Sequence, residues 1–174
     1  MVAKASYATA TVYSHAVATQ SEDAAAIHMA FFSDLVRCET RLYNHFNDEL
    51  RASHGIVTSQ YEFLRYVHKH DSPRTTDLAA EFAIGVGAVS KAVDRLERRG
   101  LLTRLPNPAN RRSTILALTE AGRALIAVAE TTFQIRLAEI LTNTATSEQI
   151  AATASVLALL RSALERDGLG TPAG

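Results

Sequence analysis

The segment RTTDLAAEFAIGVGAVSKAVDRLERRGLLTRLPNPANRRSTILALT, residues 74–119, decides the fold. Apolar residues recur in it at helical spacing in two short runs, which a glycine-containing turn at 83–85 separates. The first run is Leu78, Ala79 and Phe82, and the second is Val89, Val93 and Leu96. Two short helices joined by a tight turn form a helix-turn-helix, and we predict its second helix over 86–99.

A β-hairpin is predicted directly after this second helix. Gly100 ends the helix, as a glycine past the last helical turn commonly does. Two short β-like runs follow at 101–105 and 114–118, and a turn rich in proline and asparagine separates them. The segment therefore predicts a helix-turn-helix followed by a two-stranded wing.

A long helix and a shorter one are predicted before this segment. Ser21, followed by two acidic residues, is a candidate N-cap for a helix that runs to about residue 52. Residues 1–20 show no sustained period and are expected to form a flexible arm or a short extra helix. The shorter helix begins at 58 or 59, where Ser59 and Glu62 have the spacing of a capping box.

Two more helices are predicted after the wing, one beginning at Thr119 with Glu120 and the last at Ser147 with Glu148. The fold class is therefore mainly α, in a single domain. Its predicted parts are an arm at 1–20, a first helix at 21–55, a winged helix-turn-helix at 56–119, C-terminal helices at 120–166 and a tail at 167–174.

The composition is that of a globular protein, with 174 residues, 47% hydrophobic and 21% charged. Cys38 is the single cysteine, so an internal disulfide is impossible and a reducing compartment is the simplest expectation. The sequence shows neither a signal-peptide pattern nor a run of transmembrane length. We expect a cytoplasmic protein without a membrane partner.

The sequence offers little support for an enzyme. GVGAVS at 85–90 has only part of a dinucleotide-binding fingerprint and follows a predicted helix instead of a strand. His68 and His70, next to Asp71, diverge on a helix and fit an exposed helix end better than a metal site. HExxH, CxxC and nucleophile motifs are lacking. We predict no catalytic activity, no cofactor and no metal.

Positive charge is concentrated in residues 85–123, although the whole chain has a formal net charge of zero. Eight basic residues stand there against three acidic ones, a local net charge of +5. This pattern fits either a solvated basic face or a nucleic-acid-binding surface. The major groove of DNA is wide enough for an α-helix, and an arginine at a hairpin tip can enter the adjacent minor groove. The basic residues are Lys91, Arg95, Arg98, Arg99, Arg104, Arg111, Arg112 and Arg123.

Together these features resemble the MarR family of bacterial transcriptional regulators. The resemblance covers roughly 31–164 and is densest in DLA at 77–79, VSKAVDRLERRGLL at 89–102 and NRRSTILALTEAG at 110–122. It implies an obligate homodimer in which the N-terminal helix and the last two helices intertwine with those of a second copy. It also implies repression through a pseudo-palindromic operator in double-stranded DNA, relieved by a small, often aromatic or phenolic ligand.

The resemblance and the charges together give a set of candidate DNA contacts. Asn110 stands where the family often has an aspartate, so a neutral hydrogen bond is expected in place of an ionic brace in the wing. The recognition helix opens with almost no polar side chain, which leaves base reading to Ser90, Lys91, thymine methyl contacts and backbone approach. The candidates are Arg74, Thr75, Thr76, Val86, Gly87, Ala88, Ser90, Lys91, Arg95, Arg111, Arg112 and Ser113.

Two further sites follow from family position alone. An effector pocket would be lined by Tyr43, His45, Tyr61 and Arg65, a mixture of aromatic and polar groups that suits aromatic acids or phenols. Cys38 is expected to be a buried structural cysteine, and the alternative is a redox sensor, since some relatives sense peroxides through a cysteine in their first helix. The remaining alternative function is a helical dimeric interaction module that does not bind DNA.

Overall fold

The computed structural model describes the backbone of residues 5–110 and 112–172 and the side chains from residue 23 onward. Six helices and one hairpin follow one another along these residues. They are α1 (Ala5–His54), α2 (Thr58–Lys69), α3 (Thr75–Glu81), α4 (Val86–Arg98), β1 (Leu102–Pro106), β2 (Thr114–Leu118), α5 (Glu120–Thr142) and α6 (Ser147–Arg166). A mainly helical fold with a winged helix-turn-helix is therefore confirmed.

The first helix is longer than predicted, because it begins at Ala5 and not at Ser21. Residues 5–20 are rich in alanine and contain neither proline nor glycine, so nothing in them stops a helix. Ser21 thus lies inside α1 and cannot be an N-cap. Residues 1–4 of the predicted arm lie outside the described residues. By its contacts the chain forms two compact units, which divide within α1 after His45.

One hydrophobic core organises the second unit, which begins at Phe46. It joins the end of α1 to α2, α3, α4, the hairpin and the first half of α5. Phe46 stacks on Phe133 of α5 with ring centroids 3.9 Å apart, and Tyr61 stacks on the same ring at 4.8 Å. The larger fully buried side chains include Leu50, Ile56, Tyr61, Leu64, Leu78, Val89, Val93, Leu96, Leu102 and Ile126.

The hairpin is antiparallel, with Leu102 opposite Leu118 and Pro106 opposite Thr114. Its first strand starts one residue later than predicted. Gly100 adopts a left-handed φ of 69°, and the N–H of Leu101 donates to the Leu96 carbonyl at 3.0 Å. These are the bonds of a glycine C-cap, so Leu101 still belongs to the end of α4.

The helix starts were predicted with mixed success. Thr119 is the N-cap of α5, as predicted, and its Oγ1 accepts from the Gly122 N–H at 3.0 Å. Helix α6 begins at Ser147, as predicted, and Thr146 is its N-cap. Helix α2 begins at Thr58, and Val57 is its N-cap residue. The N–H of Val57 donates to the Gln60 side chain at 3.2 Å, so the predicted capping box of Ser59 and Glu62 is wrong.

Candidate nucleic-acid interface

Helix α4 buries one face and exposes the other. Val89, Val93 and Leu96 are fully buried, at positions that lie on one side of a helix. Lys91 and Arg95, two of the predicted contacts, are exposed on the other side, and Ser90 is half-buried between the two faces. The core therefore fixes α4 so that its cationic side chains point away from the protein.

The turn before α4 is short and sharply bent. Ala83 adopts a left-handed φ of 49°, which a non-glycine residue rarely does. The N–H of Ile84 then donates to the Ala79 carbonyl at 3.0 Å, which closes the end of α3 onto the turn. This geometry brings α4 out of the turn with its first residues, Val86 to Ala88, exposed.

At the start of α3, Arg74 is tied to Asp77, a partner that the sequence did not reveal. The Asp77 carboxylate accepts from the Arg74 backbone N–H at 2.9 Å, from Nε at 3.1 Å and from Nη2 at 2.7 Å. These hydrogen bonds from Arg74 lower the pKa of Asp77. Thr76 is exposed and Thr75 is half-buried beside this pair. Arg74 therefore reaches the surface as part of an ion pair.

Several cations of the basic segment serve the fold. The guanidinium of Arg104 on β1 donates to Asp94 of α4 at 2.7 Å and also to the Glu97 carboxylate. The backbone N–H of Arg104 donates to the same Glu97 carboxylate at 3.2 Å. Arg99 donates to the Gln60 side chain and to the Gly55 carbonyl, both at 3.0 Å. Arg123 donates to the Leu118 carbonyl at 2.6 Å. These three arginines join α4, the hairpin and α5 to their neighbours.

Three other cations remain available to a partner. Among the described residues, Lys91, Arg95 and Arg112 form neither an ion pair nor a side-chain hydrogen bond, and all three are exposed. Two of them lie on the outer face of α4, and the third lies at the tip of the wing. The structure thus separates the basic segment into arginines that hold the fold and cations that face outward. Arg111 lies outside the described residues.

The wing tip is ordered by neutral hydrogen bonds. The Asn110 side-chain oxygen accepts from the Arg112 backbone N–H at 3.0 Å, and the Ser113 hydroxyl donates to the Asn110 carbonyl at 3.2 Å. Asn107 donates from its amide to the Ser113 oxygen at 2.8 Å. Asn110 thus bonds the backbone of Arg112 and leaves its guanidinium unpaired. In the middle of β2, the Leu116 N–H donates to the Pro73 carbonyl at 2.7 Å.

The residues predicted to line an effector pocket fall in both units. Tyr43 and His45 belong to the first unit, and Tyr61 and Arg65 belong to the second. Tyr61 is 1% exposed within the core, and burial raises its pKa to about 12. Arg65 pairs with Glu130 at 3.4 Å. Tyr61 is therefore a core residue of its unit, while Arg65 lies at the edge of a shallow cleft beside α3.

Cys38 is exposed in the single chain, so the expectation of a buried structural cysteine is wrong there. The large apolar side chains Phe31, Phe32 and Val36 of the same helix are exposed as well. Across the described residues, no group of three His, Cys, Asp or Glu side chains could hold a metal ion. The helices of this part of the chain are also too short or too polar to cross a membrane.

Comparisons with known proteins agree with this geometry. The MarR family model matches residues 57–114, which span α2 to the start of β2. The regulator MhqR of Bacillus subtilis is 30% identical over 91 residues, covering 50% of this chain and 62% of that protein. The multiple antibiotic resistance protein MarR of Escherichia coli is 26% identical over 111 residues, covering 64% and 74%. The alignment with MhqR thus spans less than two thirds of its length.

Solved structures show the same fold. A MarR family regulator from Streptomyces coelicolor, solved with DNA, superposes with a TM-score of 0.74 at 20% identity, covering 83% of this chain and 91% of that one. The transcriptional repressor CouR, bound to a DNA duplex, gives 0.64 at 29% identity, covering 74% and 89%. The chain thus matches the MarR family over residues 57–114 and shares its fold with a MarR family regulator. Its relatives are named as regulators, in agreement with the prediction that it is not an enzyme.

Proposed function

We propose that this protein is a transcriptional regulator that binds double-stranded DNA through α4 and the wing. One observation carries the proposal: the unpaired cations Lys91, Arg95 and Arg112 lie on the outer face of α4 and at the wing tip, while other arginines of the segment are used within the fold. Two similar structures, a MarR family regulator from Streptomyces coelicolor and the transcriptional repressor CouR, were both solved with DNA and support it.

In this proposal α4 enters the major groove and the wing approaches the adjacent minor groove. Lys91 and Arg95 would contact base edges and phosphates from the exposed face of α4. Arg112 would occupy the minor groove, whose negative potential favours arginine. Thr75, Thr76 and Ser113 would add phosphate contacts at the start of α3 and in the wing. Arg74 would contribute less, because Asp77 already accepts its hydrogen bonds.

We further propose a homodimer, whose partner is a second copy of this chain. None of the twenty residues of α6, all of them described, is buried in the single chain. Its apolar side chains Val156, Leu159 and Leu164 are 54%, 73% and 41% exposed. A helix with so much uncovered apolar surface requires a covering partner, and the family resemblance assigns that role to a second copy. A regulator bound to the chromosome in this way would act in the cytoplasm.

Repression and relief by a small aromatic or phenolic effector are proposed on the family resemblance. The effector would bind in the second unit near Arg65 of α2, with Tyr61 supporting the site from the core of that unit. Addition of a panel of phenols and aromatic acids to the protein–DNA complex tests this part, and release of DNA by at least one compound is expected. Operator affinity unchanged by every compound would contradict it, and Cys38 oxidation would then be the next mode of relief to test.

Selection of duplexes from a random pool by the full chain tests DNA binding itself. A two-fold symmetric dimer should enrich inverted repeats with half-site centres about one helical turn apart. Enrichment of single, unrepeated sites would contradict the dimer but not DNA binding. A pool that stays random through repeated rounds would overturn the proposed function and favour the interaction module.

A further inference from the structure

The opening of α4 is apolar on an otherwise charged surface. Residues 83–89 read AIGVGAV and carry no side chain that can form a hydrogen bond. Ile84 and Val86 are nevertheless 37% and 51% exposed, and Ala88 is exposed beside them. In the proposed complex these residues lead the helix into the groove. Base recognition by the first turn therefore has to use apolar contact.

Gly87 is not required by the fold. Its backbone is not left-handed, and a Cβ built on it meets no described atom within 4 Å. Gly122 is the opposite case, since a Cβ there would lie 1.9 Å from the Leu101 carbonyl oxygen. An alanine at position 87 would favour the helix over glycine. The chain thus keeps a less stable residue at an exposed position, as expected where another molecule approaches the backbone closely.

The thymine methyl group is the apolar feature that base edges present in the major groove. Cytosine presents an amino donor there, whereas thymine presents its O4 and C5-methyl group. Small apolar side chains can contact that methyl group while excluding water from it. Val86 and Ala88 flank Gly87 and are both exposed. Side chains two positions apart on a helix diverge, so one methyl group is contacted by one of them. Val86 has the larger apolar side chain, and the backbone of Gly87 beside it can lie against the base edges.

We propose that the first turn of α4 selects thymine in each half-site through its 5-methyl group, with Val86 making the contact and Gly87 allowing the close approach. This inference rests on the proposed DNA-binding function. It names a determinant of sequence preference at the start of α4, in addition to Lys91 and Arg95 further along the helix. Lys91 and Arg95 add affinity through phosphates and neighbouring bases further along the helix.

Replacement of single thymines by deoxyuridine tests the proposal, because this change removes the methyl group alone. The probe is a duplex selected by the wild-type chain from a random pool. At one or two thymines in each half-site, we expect the substitution to weaken binding about fourfold, the effect of losing one buried methyl group. Equal affinity for the thymine and uracil duplexes at every half-site position would overturn the proposal.

Protein variants link the effect to the named residues. The Val86→Ala variant should lose most of the discrimination between thymine and uracil, while Arg112→Ala should weaken both duplexes and keep their ratio. Gly87→Ala should unfold at a higher temperature than wild type and yet lose most of its DNA affinity. Gly87→Ala with undiminished affinity, or Val86→Ala with full methyl discrimination, would contradict the assignment. Failure of the wild-type chain to bind any duplex would instead refute the proposed function.

Discussion

The guanidinium of Arg104 on β1 lies 2.7 Å from the carboxylate of Asp94 on α4. The same guanidinium also donates to Glu97, one turn further along the helix. Arg104 thus joins the wing to the recognition helix and neutralises two carboxylates that would otherwise repel DNA phosphates. Its side chain is 24% exposed and that of Asp94 is 52% exposed, so the effect of this pair on stability is modest.

Substitution of Arg104 tests this relationship. Arg104→Ala should reduce DNA affinity, because it leaves Asp94 and Glu97 with uncompensated negative charge beside the DNA. The loss of unfolding free energy should be about 1 kcal/mol. Fluorescence anisotropy and thermal unfolding measure the two effects. In the Arg104→Ala background, Asp94→Asn with Glu97→Gln should recover much of the affinity, and an absence of recovery would show that the carboxylates are not the cause.

Arg112 is expected to contribute to binding through charge at the wing tip. Arg112→Ala should weaken binding. It should also reduce the slope of the logarithm of the association constant against the logarithm of the salt concentration by about two for a dimer, because each wing loses one contact. A titration at several salt concentrations measures the slope. Arg166→Ala is the matched control, because Arg166 is an exposed arginine at the end of α6, paired with Asp167. If both variants had the wild-type slope, the wing would not be part of the interface.

Gly122 should be intolerant of a side chain. A Cβ at this position would lie 1.9 Å from the Leu101 carbonyl oxygen, where the first turn of α5 contacts the end of α4. Gly122→Ala should therefore lower the unfolding free energy by about 2 kcal/mol or more through overpacking. Urea unfolding measures it against Gly87→Ala, whose Cβ meets open space. Equal stability of the two variants would contradict the packing described here.

Asp77 should make the fold sensitive to acid. Hydrogen bonds from Arg74 lower its pKa in the folded chain. The stability it contributes is present above the pKa of about 4 that it has when unfolded, and it disappears as the pH falls through the lower folded value. Urea unfolding at a series of pH values should show wild type losing more stability below pH 4 than Asp77→Asn. Parallel pH profiles for the two proteins would rule out this contribution.

The exposed apolar face of α6 should hold the dimer together. Leu159, 73% exposed in the single chain, becomes a charged residue in Leu159→Glu, which should dissociate the dimer at micromolar concentration. Sedimentation velocity measures the mass of the species in solution. Leu169→Glu is the control, because Leu169 is 61% exposed but follows the end of α6. A Leu159→Glu protein that sediments as wild type would place the interface elsewhere.

The sequence was sufficient for the fold because its signals are local. Periodic apolar residues indicated α3, and together with Gly100 they placed α4 to within one residue. Long-range pairing left no such signal. Glu97 and Arg104 meet only because the hairpin folds back on α4, so counting charges could not separate structural arginines from exposed ones. The extension of α1 back to Ala5 was not predicted either. Its alanine-rich sequence has no hydrophobic period, but such a segment can still be helical.

A binding titration with Lys91→Ala, Arg95→Ala tests the central claim most directly. The wild-type chain and the double variant are titrated with a selected duplex and with a scrambled duplex of equal length at the same salt concentration, and Arg166→Ala serves as the control. We expect wild type and the control to prefer the selected duplex strongly, and the double variant to lose most of that preference while keeping its fold. Retention of the full preference by the double variant would show that the outer face of α4 does not read DNA.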